Sequence, residues 1–144
     1  MATDERFDLV APCGTNCSVC GAYLVKDDPA LGERIRQSVG WNGSPCPGCR
    51  PSGGRCQWID GQCSLYACVE RKKVAYCFEC DEFPCAKLNP AVDRANVYPH
   101  NLKLMNLCCI ERHGVAELLR RTPEIRRRYY EGRLVVGNGP CLPD

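Results

Sequence analysis

Apolar and polar positions along the chain change character near residue 100. Beyond it, Leu102, Met105, Cys109 and Ile110 recur at helical spacing, and Gly114 is placed to end that helix. The pattern resumes from Val115 to Arg121. Thr122-Pro123-Glu124 then reads as a fresh start, with a cap, a proline at the first helical position and an acid in the first turn. Leu134-Val135-Val136 predicts a closing strand before a turn at 137–140. Before residue 100 the periodic stretches are few. Residues 7–11 suit a short strand. Asp28 and Pro29 predict a helix start, Leu31, Ile35 and Val39 give it one apolar stripe, and Gly40 is a natural stop. Residues 41–61 are rich in Gly, Pro, Ser and Asn and predict loop. No internal repeat of fixed period is evident, although Cys-x-x-Cys units recur.

Composition explains why so much of the first hundred residues lacks a period. Of 144 residues, 14 are Cys, and the 44% hydrophobic fraction includes them; Phe, Trp and Tyr number only 3, 2 and 6. A modest core is expected, with cross-links supplying what burial cannot. The start of the chain has acids where a signal peptide carries Lys or Arg, and no stretch reaches the roughly 18 to 20 apolar residues of a membrane span. The chain therefore reads as cytoplasmic. In a reducing compartment closely spaced Cys read as metal ligands rather than disulfides.

Three Cys-x-x-Cys pairs stand out: Cys17/Cys20, Cys46/Cys49 and Cys77/Cys80. Two intervening residues let the chain turn tightly enough for both sulfurs to reach one ion, with backbone N–H groups pointing at them. Gly21, directly after Cys20, and the Pro47-Gly48 dipeptide inside the second pair supply turn residues. Cys13, Cys56, Cys63, Cys68 and Cys85 lie between or beside the pairs. These 11 Cys fit two full tetrahedral sites with three to spare, or three sites completed by a further ligand or water, so two to three zinc ions are expected. Cys141, Cys108, Cys109, His100 and His113 are candidates for a twelfth ligand. One grouping joins Cys17, Cys20, Cys46 and Cys49. A second joins Cys63, Cys68, Cys77 and Cys80, leaving Cys13, Cys56 and Cys85 for a third site; the sequence alone does not decide the partition. An iron–sulfur cluster is the alternative cofactor, because thiolates suit both metals. Cys13-x3-Cys17-x2-Cys20 has the spacing of cluster enzymes that use S-adenosylmethionine, but no βα alternation follows to build their barrel.

In order along the chain, Cys13-Gly14-x-x-Cys17-x-x-Cys20 with Ala22-Tyr23, Cys46-x-Gly48-Cys49, Cys63-x4-Cys68 and Cys77-x-x-Cys80-x-x-Phe83-Pro84-Cys85-x-x-Leu88 resemble a cysteine-rich bacterial and archaeal family, domain of unknown function 3795. Asn101-Leu102-Lys103 is similar to the start of a helix that many members carry. The resemblance spans roughly residues 10–120. It implies zinc bound through Cys13, Cys17, Cys20, Cys46, Cys49, Cys63, Cys68, Cys77, Cys80 and Cys85, with Cys56 matching less closely, and it carries no activity.

The fold expected from all this is a small α+β, largely irregular, metal-stapled domain: zinc-knuckle loops with short helices and a C-terminal helical segment. Residues 1–12 read as a leader, 13–88 as the cysteine-rich metal-binding region, and 89–144 as a helical segment packed on the same domain. Cys108 and Cys109 read as buried small hydrophobes on a helix face, His113 as a helix C-terminal cation and His100 as a surface or capping residue.

Net charge is +2 with neutral thiols, but twelve thiolates with three Zn²⁺ would shift it to −4, and eight with two to −2. The one dense basic cluster is Arg120, Arg121, Arg126, Arg127 and Arg128; it reads as a solvated helix face, with Tyr129 and Tyr130 beside it anchoring the helix on the core. A protein partner is expected rather than nucleic acid, and no membrane. All-Cys sites are usually structural, and no Ser/His/Asp set, phosphate loop or paired catalytic carboxylate is present, so the sequence favours a non-enzymatic role. The expected function is that of a zinc-binding protein, its metal structural, serving as an interaction module. A thiol redox or metal-handling protein is the alternative.

Overall fold

The computed structural model describes residues 5–39, 44–55, 59–90 and 98–144. They form a mixed, mainly helical and irregular fold with one two-stranded sheet. Five α-helices follow in order: α1 (Gly21–Leu24), α2 (Pro29–Val39), α3 (Ser64–Lys72), α4 (Lys103–His113) and α5 (Val115–Glu131). The antiparallel strands β1 (Arg133–Val135) and β2 (Gly139–Cys141) close the chain, with Leu134 opposite Pro140. Single 3₁₀ turns at Glu5–Leu9, Cys17–Val19, Cys77–Glu79, Ala86–Leu88 and Pro99–Leu102 hold the irregular parts.

Several of these elements start where their residues dictate. The Leu31 amide donates to Asp28 Oδ1 (3.0 Å), so Asp28 caps α2 and Pro29 opens it. Leu31 and Ile35 bury their stripe with Leu24, against Tyr23, Tyr98 and Tyr130. Gly40 lies outside the described residues. Gly21 acts differently from the expected turn residue: it opens α1, and a side chain there would meet Ile35 Cδ1 at 2.0 Å, so it allows α1 and α2 to touch. Gly114, at φ +85°, ends α4 as the sequence suggested.

Two local expectations are overturned. Residues 7–11 are no strand; Glu5–Leu9 is a 3₁₀ turn, and the neighbouring backbone pairing is one isolated bridge between Val10 and Asn16. There is no new helix at Thr122, because α5 runs unbroken through Pro123. Packing overrides the local signal: Thr122 is buried, its hydroxyl donates to the Leu118 carbonyl one turn back (3.0 Å) and accepts from Asn16 Nδ2 (2.8 Å). The sequence pattern also contained no helix at Ser64–Lys72, where α3 stands.

The core is modest. Ala11, Cys13, Val69, Cys77, Leu88 and Leu107 form one cluster, and Val10, Ile110 and Leu118 another. Helix α4 packs on α5 and on the Cys77–Glu79 turn, while α5 lies against the turns at Glu5–Leu9 and Cys17–Val19. The C-terminal helices thus back the loops that carry the cysteines. Tyr130 donates to the Val19 carbonyl (2.6 Å) and Tyr129 to the Tyr98 carbonyl, so both anchor α5. Among the described residues no helix is long and apolar enough to cross a membrane.

Candidate metal centre

The Cys-x-x-Cys pairs at 17/20 and 77/80 share one local design. Each opens a single 3₁₀ turn, closed by Cys20 N–H to Cys17 O (3.0 Å) and Cys80 N–H to Cys77 O (3.1 Å). Asn16 caps the first turn by accepting from the Ser18 amide (3.0 Å). Glu79 caps the second by accepting from the Ala75 and Tyr76 amides (2.6 and 2.9 Å). The 46/49 pair turns through Gly48 at φ +116°, a conformation that favours glycine. Its Cys46 N–H donates to the Ala22 carbonyl (2.8 Å), which seats the second pair on α1 beside the first.

Backbone amides reach sulfur in three of these turns. Gly48 N–H faces Cys46 Sγ (3.5 Å), Cys49 N–H faces Cys17 Sγ (3.4 Å), and Glu82 N–H faces Cys80 Sγ (3.4 Å). Such contacts stabilise thiolate over thiol and are the arrangement that ligating sulfurs use.

The fold distributes the described cysteines of the pattern over two cavities. Cys13, Cys17, Cys20, Cys46, Cys49 and Cys63 line one of about 120 Å³, together with His100 and Lys103. Cys68, Cys77, Cys80 and Cys85 line another of about 220 Å³. Cys63 therefore stands with the first group and Cys85 with the second, which differs from the grouping drawn from spacing alone. Helix α3 accounts for the difference. Cys63 precedes its first residue and is tied by its amide to the Gly54 carbonyl (2.8 Å), whereas Cys68 sits within the helix on the second cavity. Cys85 is placed by the turn Ala86–Leu88, whose Leu88 is buried in the core. Cys56 lies outside the described residues.

The thiols are placed against their own ionisation. Burial pushes Cys13 up, against the nearby Lys103 charge and the Thr15 hydroxyl 3.2 Å from its sulfur. Burial likewise raises Cys46. The hydrogen bond with the Cys17 thiol, then burial and the sulfurs of Cys17 and Cys63, drive Cys49 well above the usual thiol range. Cys77 is pushed up to about 12 by burial and then by Cys13, Cys85, Cys68 and Cys80. Sulfurs that oppose one another's charge lie near one another, even where, as with Cys13 and Cys77, they line different cavities, and a divalent cation among them reverses that effect. The donor set is soft: sulfur and one imidazole in the first cavity, with no Asp or Glu among the described residues of its wall. It fits zinc or an iron–sulfur centre and not magnesium or calcium. As the side chains stand, no three described His, Cys, Asp or Glu residues are arranged to hold one ion. The fit therefore rests on donor chemistry and shared cavities, not on closed coordination.

The remaining candidates separate. His100, expected at the surface or as a cap, is half-buried. It lines the first cavity, stands edge-on to Tyr98, and its buried Nδ1 has no hydrogen-bond partner among the described residues. Burial, with Lys103 second, holds its pKa down to about 4. Cys108 is exposed on α4 rather than buried, and Cys109 is half-buried against the core. His113 ends α4, exposed, as expected. Cys141 sits half-buried in β2. Lys103, absent from the sequence-derived candidates, lies buried on the first cavity's wall. A lysine in a helix's first turn carries no signal of that in sequence.

The arginines of the basic cluster are ion-paired. Arg120 and Arg121 hold Glu117 (2.7 and 2.6 Å), Arg126 holds Asp28, Arg127 lies near Glu124 and Glu131, and Arg128 bonds Glu124 (2.8 Å).

Residues 9–90, more than half of the chain, match the family described as a protein of unknown function, DUF3795. The chain belongs to that cysteine-rich family. The match contains the cysteines of both cavities and stops before His100 and Lys103. No curated protein matches the chain. No solved structure matches it either.

Proposed function

We propose that this chain is a structural zinc protein whose thiolate centres hold together a surface for a protein partner. The observation that carries this reading is the division of ten cysteines into two cavity walls, none of them disulfide-bonded. Four thiols match one tetrahedral zinc, so the second cavity takes a single ion; six thiols and an imidazole in the first take one or two. The core is too small to specify these loops without such cross-links. The ion-paired arginines of α5 disfavour a phosphate partner, because four carboxylates offset most of the charge of the five arginines.

An iron–sulfur centre is the second reading, and the thiol excess of the first cavity favours it. Elemental analysis of anaerobically purified protein separates the two. Two to three zinc ions in a colourless solution support the first reading. A brown solution containing iron and sulfide supports the second. Protein without metal, whose thiols all alkylate readily in the native state, would sink both.

A further inference from the structure

Lys103 is only 8% exposed, and its side chain lies on the wall of the six-cysteine cavity. A buried ammonium needs a compensating anion. The second cavity supplies one to its own lysine: Lys72 bonds Glu82 (3.0 Å) and Asp81 (3.3 Å). No described carboxylate lines the first cavity, and among the described residues none pairs with Lys103. The groups that feel its charge are the thiols of Cys13 and Cys49 and the imidazole of His100.

Nor is Lys103 free to withdraw. Asn106, fully buried on the next turn of α4, donates from Nδ2 to the Gly14 carbonyl (2.7 Å). A side chain on Gly14 would meet the Lys103 carbonyl oxygen at 2.5 Å and Leu107 at 2.7 Å, so only glycine lets the first turn of α4 press against the Cys13 loop. The fold thus fixes the backbone from which the Lys103 side chain meets the first cavity.

We propose that Lys103 is the counter-charge of that cavity: its ammonium balances the surplus negative charge of a thiolate-bound divalent metal and so governs how tightly that metal is held. Four thiolates around a divalent ion carry a net charge of −2, and more thiolates carry more. A neighbouring ammonium in a partly dry site offsets part of that charge, because the attraction between opposite charges is stronger there than in water and repays the ammonium's own desolvation when the two lie close. The inference rests on the metal reading above and adds to it a positioning residue that lies outside the matched family region.

The test loads the full chain with zinc and follows metal transfer to a chromogenic chelator in wild type, Lys103→Met and Lys103→Arg. Methionine keeps the apolar stem without the charge, and arginine keeps the charge. Release from the first cavity in Lys103→Met should quicken on the order of tenfold or more, as when a supporting group beside a metal is removed. Release from the second cavity should quicken less than release from the first, and Lys103→Arg should behave as wild type. Equal kinetics in wild type and Lys103→Met, with metal bound in both, overturns the counter-charge and leaves the metal reading intact. Insoluble methionine variant with a soluble, fully loaded arginine variant supports the charge. Failure of both to fold shows a demand for lysine's shape and overturns it. Wild type without metal removes the premise as well.

Discussion

Asn16 has no exposed surface, and both ends of its side chain are used: Oδ1 accepts from the Ser18 amide and Nδ2 donates to the Thr122 hydroxyl 106 positions away. It ties the first cysteine turn to α5. Thr122→Val keeps the volume and strands a buried amide donor, so it should lower stability by about 1–3 kcal/mol in denaturant unfolding of the metal-loaded protein. No loss would mean that Asn16 finds another acceptor. The cysteines divide by neighbourhood in the same way. Cys49→Ser should lose metal from the first cavity, and Cys80→Ser from the second. Cys108→Ser, exposed on α4, should keep the full complement by native mass spectrometry. Metal lost from the Cys108 variant would place α4 in a site. Some of this was legible in residue types. The Asp28 cap and the Gly48 turn follow from local chemistry, and local chemistry is what a sequence displays. The burial of His100 and Lys103 was not, because it depends on how the first turn of α4 meets a loop some ninety positions earlier.

At the scale of elements, spacing misleads where one residue serves two patterns. Cys63-x4-Cys68 reads as ligand spacing, and that reading hides α3, whose Leu65 and Val69 lie four apart and pack on the core. Pro123 misleads in the opposite direction, since tertiary bonds at Thr122 carry α5 past a residue that normally starts or breaks a helix. Early in α5, Glu117 takes bonds from Arg120 and Arg121, which hold its carboxyl down to about 2, below the ordinary 4.5. A depressed carboxyl contributes stability above the unfolded value and loses it as pH falls through the folded one. Glu117→Gln should therefore melt at a lower temperature than wild type at pH 7. The difference should shrink between pH 4.5 and 2, and a gap that persists unchanged at the acid end would assign the effect to packing.

Among the described residues the molecule has four small apolar clusters and a sheet of two short strands. If zinc fills its cavities, each ion contributes on the order of 10 kcal/mol to folding, as much as an entire domain's net stability. Strong chelation should then abolish the near-ultraviolet dichroism of the packed aromatics around Tyr76 and Phe78, while α4 and α5 keep part of their far-ultraviolet helical signal. Retention of both signals after complete demetallation would show that the clusters suffice alone.

Cys63, which caps helix α3, lines one cavity and Cys68, within the helix, lines the other, so neither cavity can order its wall without fixing the helix that furnishes the other's. If both take zinc, filling either one therefore prepares its neighbour, and the two occupancies would be linked through the ordering they share. Under scarce metal, such chains would then divide into empty and complete ones more than they collect half-filled forms. Native mass spectra taken during titration with limiting zinc should show those two populations, and a dominant singly loaded species would show that the helix forms before either ion arrives.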